Sequence, residues 1–217
     1  MTDKDLTHLY VLLDRSGSMQ AIKQDTEGGF AAFLEAQKAA PGRCRVTLAQ
    51  FDDQYETVYT DVDLADVPAL DLQPRGMTAL LDAMGRLIND AGASLSALPE
   101  ERRPGTVVVV IMTDGMENAS REWTGDAVRK LVTQQTDVYS WVFTYLGANQ
   151  DAITVGASLG VPAARSMTYA GKRAKSALSA TGANLAAYRS AIAEGVAPAA
   201  AAPAMAYSDV QRAESGG

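Results

Sequence analysis

This chain of 217 residues has one cysteine, Cys44, and one histidine, His8. A single thiol cannot form an internal disulfide, which suits a reducing cytoplasm. With no imidazole beside it, Cys44 reads as a buried structural thiol and not as a nucleophile. His8 opens the first apolar run, so it is expected at the end of the sheet opposite the strand tips, on the surface or half-buried; a Ser-His-Asp triad is thereby excluded. Basic clusters are missing too. The net charge is −7, and Arg102-Arg103 and Lys172-Arg173 are isolated pairs, so no nucleic-acid partner is expected. No apolar run approaches the roughly 20 residues of a membrane span. Met1 to Thr7 is polar and acidic and does not read as a signal peptide, so the expectation is a cytoplasmic protein without a membrane partner, in which the Asn118-Ala119-Ser120 sequon carries no weight. Nucleotide cradles are absent as well: Gly171-Lys172-Arg173 lacks the rest of a P-loop, and the glycines from Gly147 to Gly160 lack dinucleotide spacing. Trp123 and Trp141 stand alone and read as packing residues.

What is present is an ordinary globular composition, 47% hydrophobic and 21% charged, in a chain long enough for one substantial core. Strand and helix patterns alternate. Residues 8–13 read as a short buried strand and 20–39 as a helix with Ile22, Phe30, Phe33 and Leu34 on one side, ended by Pro41-Gly42. Residues 44–51 form a second strand, and the Asp52-Asp53-Gln54 turn leads into a third, 55–60, expected antiparallel at the sheet edge. A helix follows over 77–97, then a strand over 106–112, whose β-branched run marks burial on both faces. A helix over 124–135, a strand over 138–145, a short helix over 150–158, a short strand over 164–169 and a closing helix over 172–195 complete the body. From Ala197 alanine and proline dominate without apolar periodicity, so residues 1–196 read as one domain and 197–217 as a flexible tail.

Alternation of this kind means an α/β fold: a doubly wound, mostly parallel sheet with one antiparallel edge strand and helices on both faces. In the usual winding the first strand lies beside strand 106–112. Ligands bind where the order reverses, outside the carboxyl ends. Two oxygen-rich turns fall there. One is Asp14-Arg15-Ser16-Gly17-Ser18-Met19 and the other Thr113-Asp114-Gly115, with Gly76-Met77-Thr78 between them in sequence. Alone, each residue has a local explanation, since serine and threonine cap helices and Asp-Gly makes turns. Together they offer two carboxylates and three hydroxyls without nitrogen or sulfur. Two carboxylates at one crevice repel unless a cation joins them, and an all-oxygen set suits Mg²⁺ or Mn²⁺ better than Ca²⁺. Helix N-termini after Met19 and at Met77 would add a positive field, and Gly17 and Gly76 would let backbone come close.

The set Asp14, Ser16, Ser18, Thr78 and Asp114-Gly115 resembles the metal-ion-dependent adhesion site of von Willebrand factor A domains. The resemblance covers about residues 7–195, with all five motif positions in the family's order and spacing. It implies a Rossmann-like sheet with strand three antiparallel, Ser16, Ser18 and Thr78 near the ion, and Asp14 and Asp114 bound to it directly or through water. It also implies a protein partner whose Glu or Asp side chain completes the metal shell, and no catalysis. Intracellular bacterial relatives of this kind work beside ATPases or in stress responses, and in some relatives the last helix, here 172–195, tunes affinity. Arg15 is a variable position of the motif.

Around the rim, Asp52, Asp53, Gln20, Glu117, Asn118 and Asn149 follow elements at the same end of the sheet. Most read as solvated loop, with Asp52 or Asp53 a candidate for holding a metal-bound water. Two other readings stay open. One is a Mg²⁺-dependent phosphatase with Asp14 as nucleophile, weakened because Ser16 stands where an acid/base carboxylate is needed. The other is a scaffold whose metal is purely structural. The residues do not speak to oligomeric state.

Overall fold

The computed structural model describes residues 2–148 and 150–216. Six strands, β1 (Asp3–Asp14), β2 (Arg43–Phe51), β3 (Tyr55–Asp63), β4 (Pro104–Thr113), β5 (Val142–Ala148) and β6 (Ser166–Tyr169), form one sheet in the order β3-β2-β1-β4-β5-β6. All neighbours run parallel except β2 and β3, as expected of an edge strand entered through a tight turn. Residues alternate across the sheet. Leu9, Val11 and Leu13 of β1 join one core with Phe30 and Phe33 of α1 (Lys23–Lys38) and Leu178 and Leu185 of α5 (Ala174–Ala193). Tyr10 and Leu12 face the other core, with Met84 and Ile88 of α2 (Leu80–Ala97) and Val128 and Val132 of α3 (Gly125–Tyr139). The short α4 (Ala152–Ser158) covers that second face near β5 and β6. Both faces are thus buried, which is why β1 and β4 carry near-continuous apolar sequence. No helix among the described residues is long and apolar enough to cross a membrane.

Several boundaries move from their sequence positions for local reasons. Before α1, residues Gly17–Ile22 form a 3-10 turn, because Gly17 N donates to Gly76 O (3.3 Å) and Met19 N to Ser16 O (3.0 Å). α2 starts at Leu80, not at residue 77, since both backbone groups of Thr78 are taken by Asn118. The expected strand over 138–145 is divided: Val138 and Tyr139 belong to the last turn of α3, exposed, and Ser140 ends that helix in the left-handed conformation (φ 57°). β5 then runs Val142–Ala148. His8 is also corrected. β1 begins at Asp3, so His8 lies inside the strand and only 6% of it is exposed. Cys44 is buried, as expected.

The segment from Ala197 is not a flexible tail. It forms α6 (Pro198–Ala201), a 3-10 turn (Ala202–Met205) and α7 (Asp209–Ser215), packed on α5 and β6. Sparse anchors do the work that periodicity does elsewhere. Met205 and Tyr207 enter the core, and the Tyr207 hydroxyl pairs with Thr181 Oγ1 (2.8 Å). Asn184 and Gln211 bond across the seam (2.7 Å), and Ser208 and Gln211 form a capping box for α7. Arg212 donates to Ser166 O (2.7 Å), while Ala170 N donates to Ser215 O (2.8 Å). Truncating Tyr207 to Ala should therefore lower stability by about 3–5 kcal/mol in urea unfolding, the cost of deleting a buried aromatic. An unchanged midpoint would restore the flexible reading.

Candidate metal centre

β1 and β4 are neighbours, yet the chain leaves them in opposite directions, β1 through α1 to β2 and β4 through α3 to β5. The crevice this opens lies at their carboxyl ends. Asp14 is the last residue of β1, and Asp114 follows the last residue of β4. Both are buried, Asp14 completely. Asp14 Oδ1 accepts from the Ser16 amide (2.6 Å), and its Oδ2 lies 2.5 Å from Thr113 Oγ1, which donates to it. Ser18 Oγ donates to Asp114 Oδ1 (2.6 Å), and the Ser16 and Ser18 hydroxyls are 3.1 Å apart. Thr78 comes in from the loop before α2. A Cβ placed on Gly115 would stand 3.0 Å from Thr78 Oγ1 and 3.6 Å from Ser18 Oγ, so these hydroxyls close around the Asp114-Gly115 turn. All five expected donor residues are thereby brought to one place.

Burial pushes the Asp14 carboxyl up to about 6, against the Thr113 hydroxyl and Ser16 amide that favour its charged form; neighbouring Asp114 adds to the rise. Burial raises Asp114 as well, opposed by the Ser18 hydroxyl. Among the described residues no cationic side chain forms an ion pair with either acid. Two buried carboxylates without a counter-charge, ringed by neutral hydroxyls, are a donor set that fits a hard divalent cation. The set contains only two acids, consistent with the absence, among the described residues, of any group of three His, Cys, Asp or Glu able to hold a metal.

The rim residues resolve differently. Asp52 is fully buried and accepts from Arg15 Nε (3.1 Å) and Arg75 Nε (2.7 Å) at the same oxygen, and from the Gln54 amide at the other (2.7 Å). Burial alone would raise its pKa, but the Arg75 bond, the Gln54 amide and the Arg15 charge outweigh it and hold the group below the usual carboxylate range. It is an ion-pair anchor between Arg15 and Arg75. Arg15 also pairs with Glu56, so the charge beside Asp14 in sequence is drawn away from the centre. Glu117 turns inward. Its Oε2 caps α2 at the Leu81 amide (2.9 Å) and its Oε1 takes the Ala119 and Ser120 amides. Asn118 Oδ1 accepts from the Thr78 amide (2.9 Å), and Asn118 N donates to Thr78 O (3.0 Å). Asn118, exposed in its loop, therefore positions Thr78, while the half-buried Glu117 ties that loop to the start of α2. Asp53 and Gln20 are exposed, and Asn149 lies outside the described residues. Gly76 needs its freedom: φ is +67°, and a Cβ would stand 2.6 Å from Asp53 Oδ1. Gly17 does not, since a Cβ there makes only a 3.5 Å contact with Gly76 O.

Sequence reasoning missed Thr113, Arg15 and Asp82, whose carboxylate gathers the amides of Arg121, Glu122 and Trp123 at 2.8–2.9 Å. The one available signal was a hydroxyl directly before Asp114; the partners of Arg15 and Asp82 are 37 or more residues away.

No protein-family model and no curated protein matches the chain. Solved structures do. Proximal thread matrix protein 1 from the mussel byssus aligns with a TM-score of 0.60 at 12% identity, covering 93% of this chain and 48% of that one. A von Willebrand factor type A protein from Catenulispora acidiphila aligns with a TM-score of 0.56 at 13% identity, over 85% of this chain and 42% of that one. Another form of the mussel protein, with a zinc-occupied MIDAS motif, gives 0.53 at 15% identity, over 75% and 41%. The chain thus has the von Willebrand factor A fold, and it spans less than half the length of each of these structures.

Two outcomes follow for metal titrations. Below about pH 6 a cation must displace a proton from Asp14, so calorimetric Mg²⁺ affinity should fall roughly tenfold per pH unit and level off above that value. The metal-free fold responds with the opposite sign. Between about 4 and about 6 the folded chain holds more protons than the unfolded one, so this group's contribution to stability declines as pH rises. Gly115→Ala places a methyl against Thr78 and Ser18 and should weaken Mg²⁺ binding by at least about tenfold, with the metal-free melting temperature nearly unchanged.

Proposed function

We propose that this chain is a metal-dependent protein-binding module that holds Mg²⁺ on Asp14, Ser16, Ser18, Thr78 and Asp114 and uses it to grip a Glu or Asp carboxylate of a partner protein. Mn²⁺ would be accepted by the same oxygens, and Ca²⁺ less readily. The observation that carries this reading is the pair of buried carboxylates at adjacent strand ends with hydroxyls between them and, among the described residues, no side-chain cation paired with them. The metal-occupied site of one solved neighbour supports it. Bound there, the ion would supply an electrophilic point for an anionic oxygen from outside.

The chain's own residues set the terms of that attachment. Ser16, Ser18 and Thr78 are neutral, so they leave the ion's charge largely uncancelled by the protein. The Thr113 hydroxyl and Ser16 amide hold the Asp14 carboxylate in one orientation. Asn118 holds Thr78 from both sides of its backbone. Met77 and Met116 stand beside Thr78 and Gly115, 51% and 69% exposed, and offer apolar contact around the polar centre. We assign binding and not turnover, because Ser16 occupies the place where proton transfer two residues after Asp14 would need a carboxylate.

The test is capture of partner proteins from host extract on immobilised chain, in Mg²⁺ and in EDTA, together with direct titration of Mg²⁺ and Mn²⁺. The expected outcome is a partner retained by the wild type in Mg²⁺ and lost both in EDTA and with Asp14→Ala, whose far-ultraviolet spectrum and cooperative unfolding persist. A purified chain that binds neither ion, or a capture profile indifferent to EDTA and to the substitution, refutes the proposal.

A further inference from the structure

A cavity of about 390 Å³ opens between α2 and the β2–β3 hairpin, and none of the five oxygen-donor residues of the metal centre lines it. Its size lies within the roughly 300–1,000 Å³ range of small-molecule sites. The floor is made by His8 and Tyr10. Two residues apart on β1, they project to the same side, and their rings stack with centroids 4.1 Å apart. Tyr10 stacks in turn near Trp141 (6.2 Å), and Trp141 near Phe143 (6.2 Å), which fixes the floor in place. Leu87, Ala91, Leu95 and Leu98 supply an apolar wall.

Hydrogen-bond accounting on this floor does not close. Thr47 Oγ1 accepts from the Asp61 amide (3.0 Å), and among the described residues its other partner is His8 Nε2 (2.9 Å). With the Thr47 hydroxyl as the donor in that contact, the His8 proton is on Nδ1. Nδ1 lies 3.8 Å from Asp61 Oδ1, too far for a hydrogen bond, and that oxygen is already held by Arg45 Nε at 2.6 Å. The Tyr10 hydroxyl has no hydrogen-bond partner among the described residues. His8 and Tyr10 are 6% and 4% exposed, so two deeply set donors look into the cavity without an acceptor from the protein. The rim carries Asp61 and Asp90, which repel anions. Nucleophilic chemistry is not available here, because the Thr47 hydroxyl is engaged with His8 and the Asp61 amide and Asp61 is committed to Arg45.

We infer that this cavity is a ligand site for a small uncharged aromatic molecule bearing a hydrogen-bond-accepting oxygen. The ring lies against Leu87, Ala91 and Leu95, and the oxygen takes the His8 Nδ1–H and the Tyr10 hydroxyl proton. This inference stands independently of the metal centre.

His8 is the one histidine of the chain, so its imidazole Hε1 resonance is unambiguous in a proton NMR spectrum. The full chain is titrated with phenol and, as an anionic control of the same ring, with benzoate. Phenol is expected to move that resonance saturably and benzoate to leave it in place. Ser94 is exposed on α2 at the cavity mouth, and Ser94→Trp fills the space from outside the core. It should weaken phenol binding by at least about tenfold and leave Mg²⁺ titration unchanged. Tyr10→Phe, which keeps the stacked ring and removes the hydroxyl, should weaken phenol several-fold. No saturable shift, an equal response to benzoate, or a phenol shift that survives Ser94→Trp would overturn the assignment.

Discussion

Two carboxylates buried at adjacent strand ends, with no side-chain cation among the described residues paired to them, are the constraint around which the upper face is built. Burial of a charge without a partner is among the costliest arrangements in a folded chain. Asp14 and Asp114 are nonetheless held where parallel strands diverge, and the nearby positive charges are directed elsewhere: Arg15 and Arg75 both meet at Asp52. The arginine pair ties three loops together, since Arg15 N also bonds Phe51 O, and Arg75 N bonds Arg15 O. The same network that makes the loops rigid keeps the crevice electronegative.

Rigidity extends to the third donor loop by a different route. Thr78 is fixed through its backbone by Asn118, and the segment carrying Asn118 is fixed by Glu117 at the start of α2 and by Asp82 in the same first turn. Each contact spends a carboxylate or amide on backbone N–H groups that would otherwise be unpaired at a helix end or in a loop. The donor side chains thus sit on loops but inherit the precision of the helix they border. That is the condition a site needs if its ligands are to hold geometry without moving on binding.

Much of this was legible in the sequence. Alternating apolar runs gave the six strands, the antiparallel edge and the crevice, because a sheet covered on both faces leaves a strong periodic trace. Four of the five donors could be named because they lie within a few residues of predicted strand ends, and Thr78 because it stands at the start of a predicted helix. What could not be read is what depends on distant partners. Arg15 and Asp52, Asp82 and residues 121–123, Glu117 and Leu81 are joined across 36 to 41 residues, and nothing local marks them. Val138 and Tyr139 mislead for the opposite reason: strand-forming residues serve as the last exposed turn of a helix. Past Ala197, the composition suggests disorder, while three separated anchors, Met205, Tyr207 and Arg212, fix the segment in place.

The placement of α7 has a consequence for how the molecule behaves in a crowd of its own copies. A sheet offers a template to other chains wherever an outer strand leaves backbone groups unpaired. At β6 the Arg212 guanidinium occupies the Ser166 carbonyl, and the carbonyl of Ser215 occupies the amide just past the strand. At the other edge, β3 is broken in register against β2, kinked by Asp61 in the left-handed conformation (φ 52°), and studded with Glu56, Asp61 and Asp63. Neither edge presents the flat, uncharged ladder from which runaway strand addition starts, so both ends of a sheet with a deeply apolar centre are guarded against pairing with another copy.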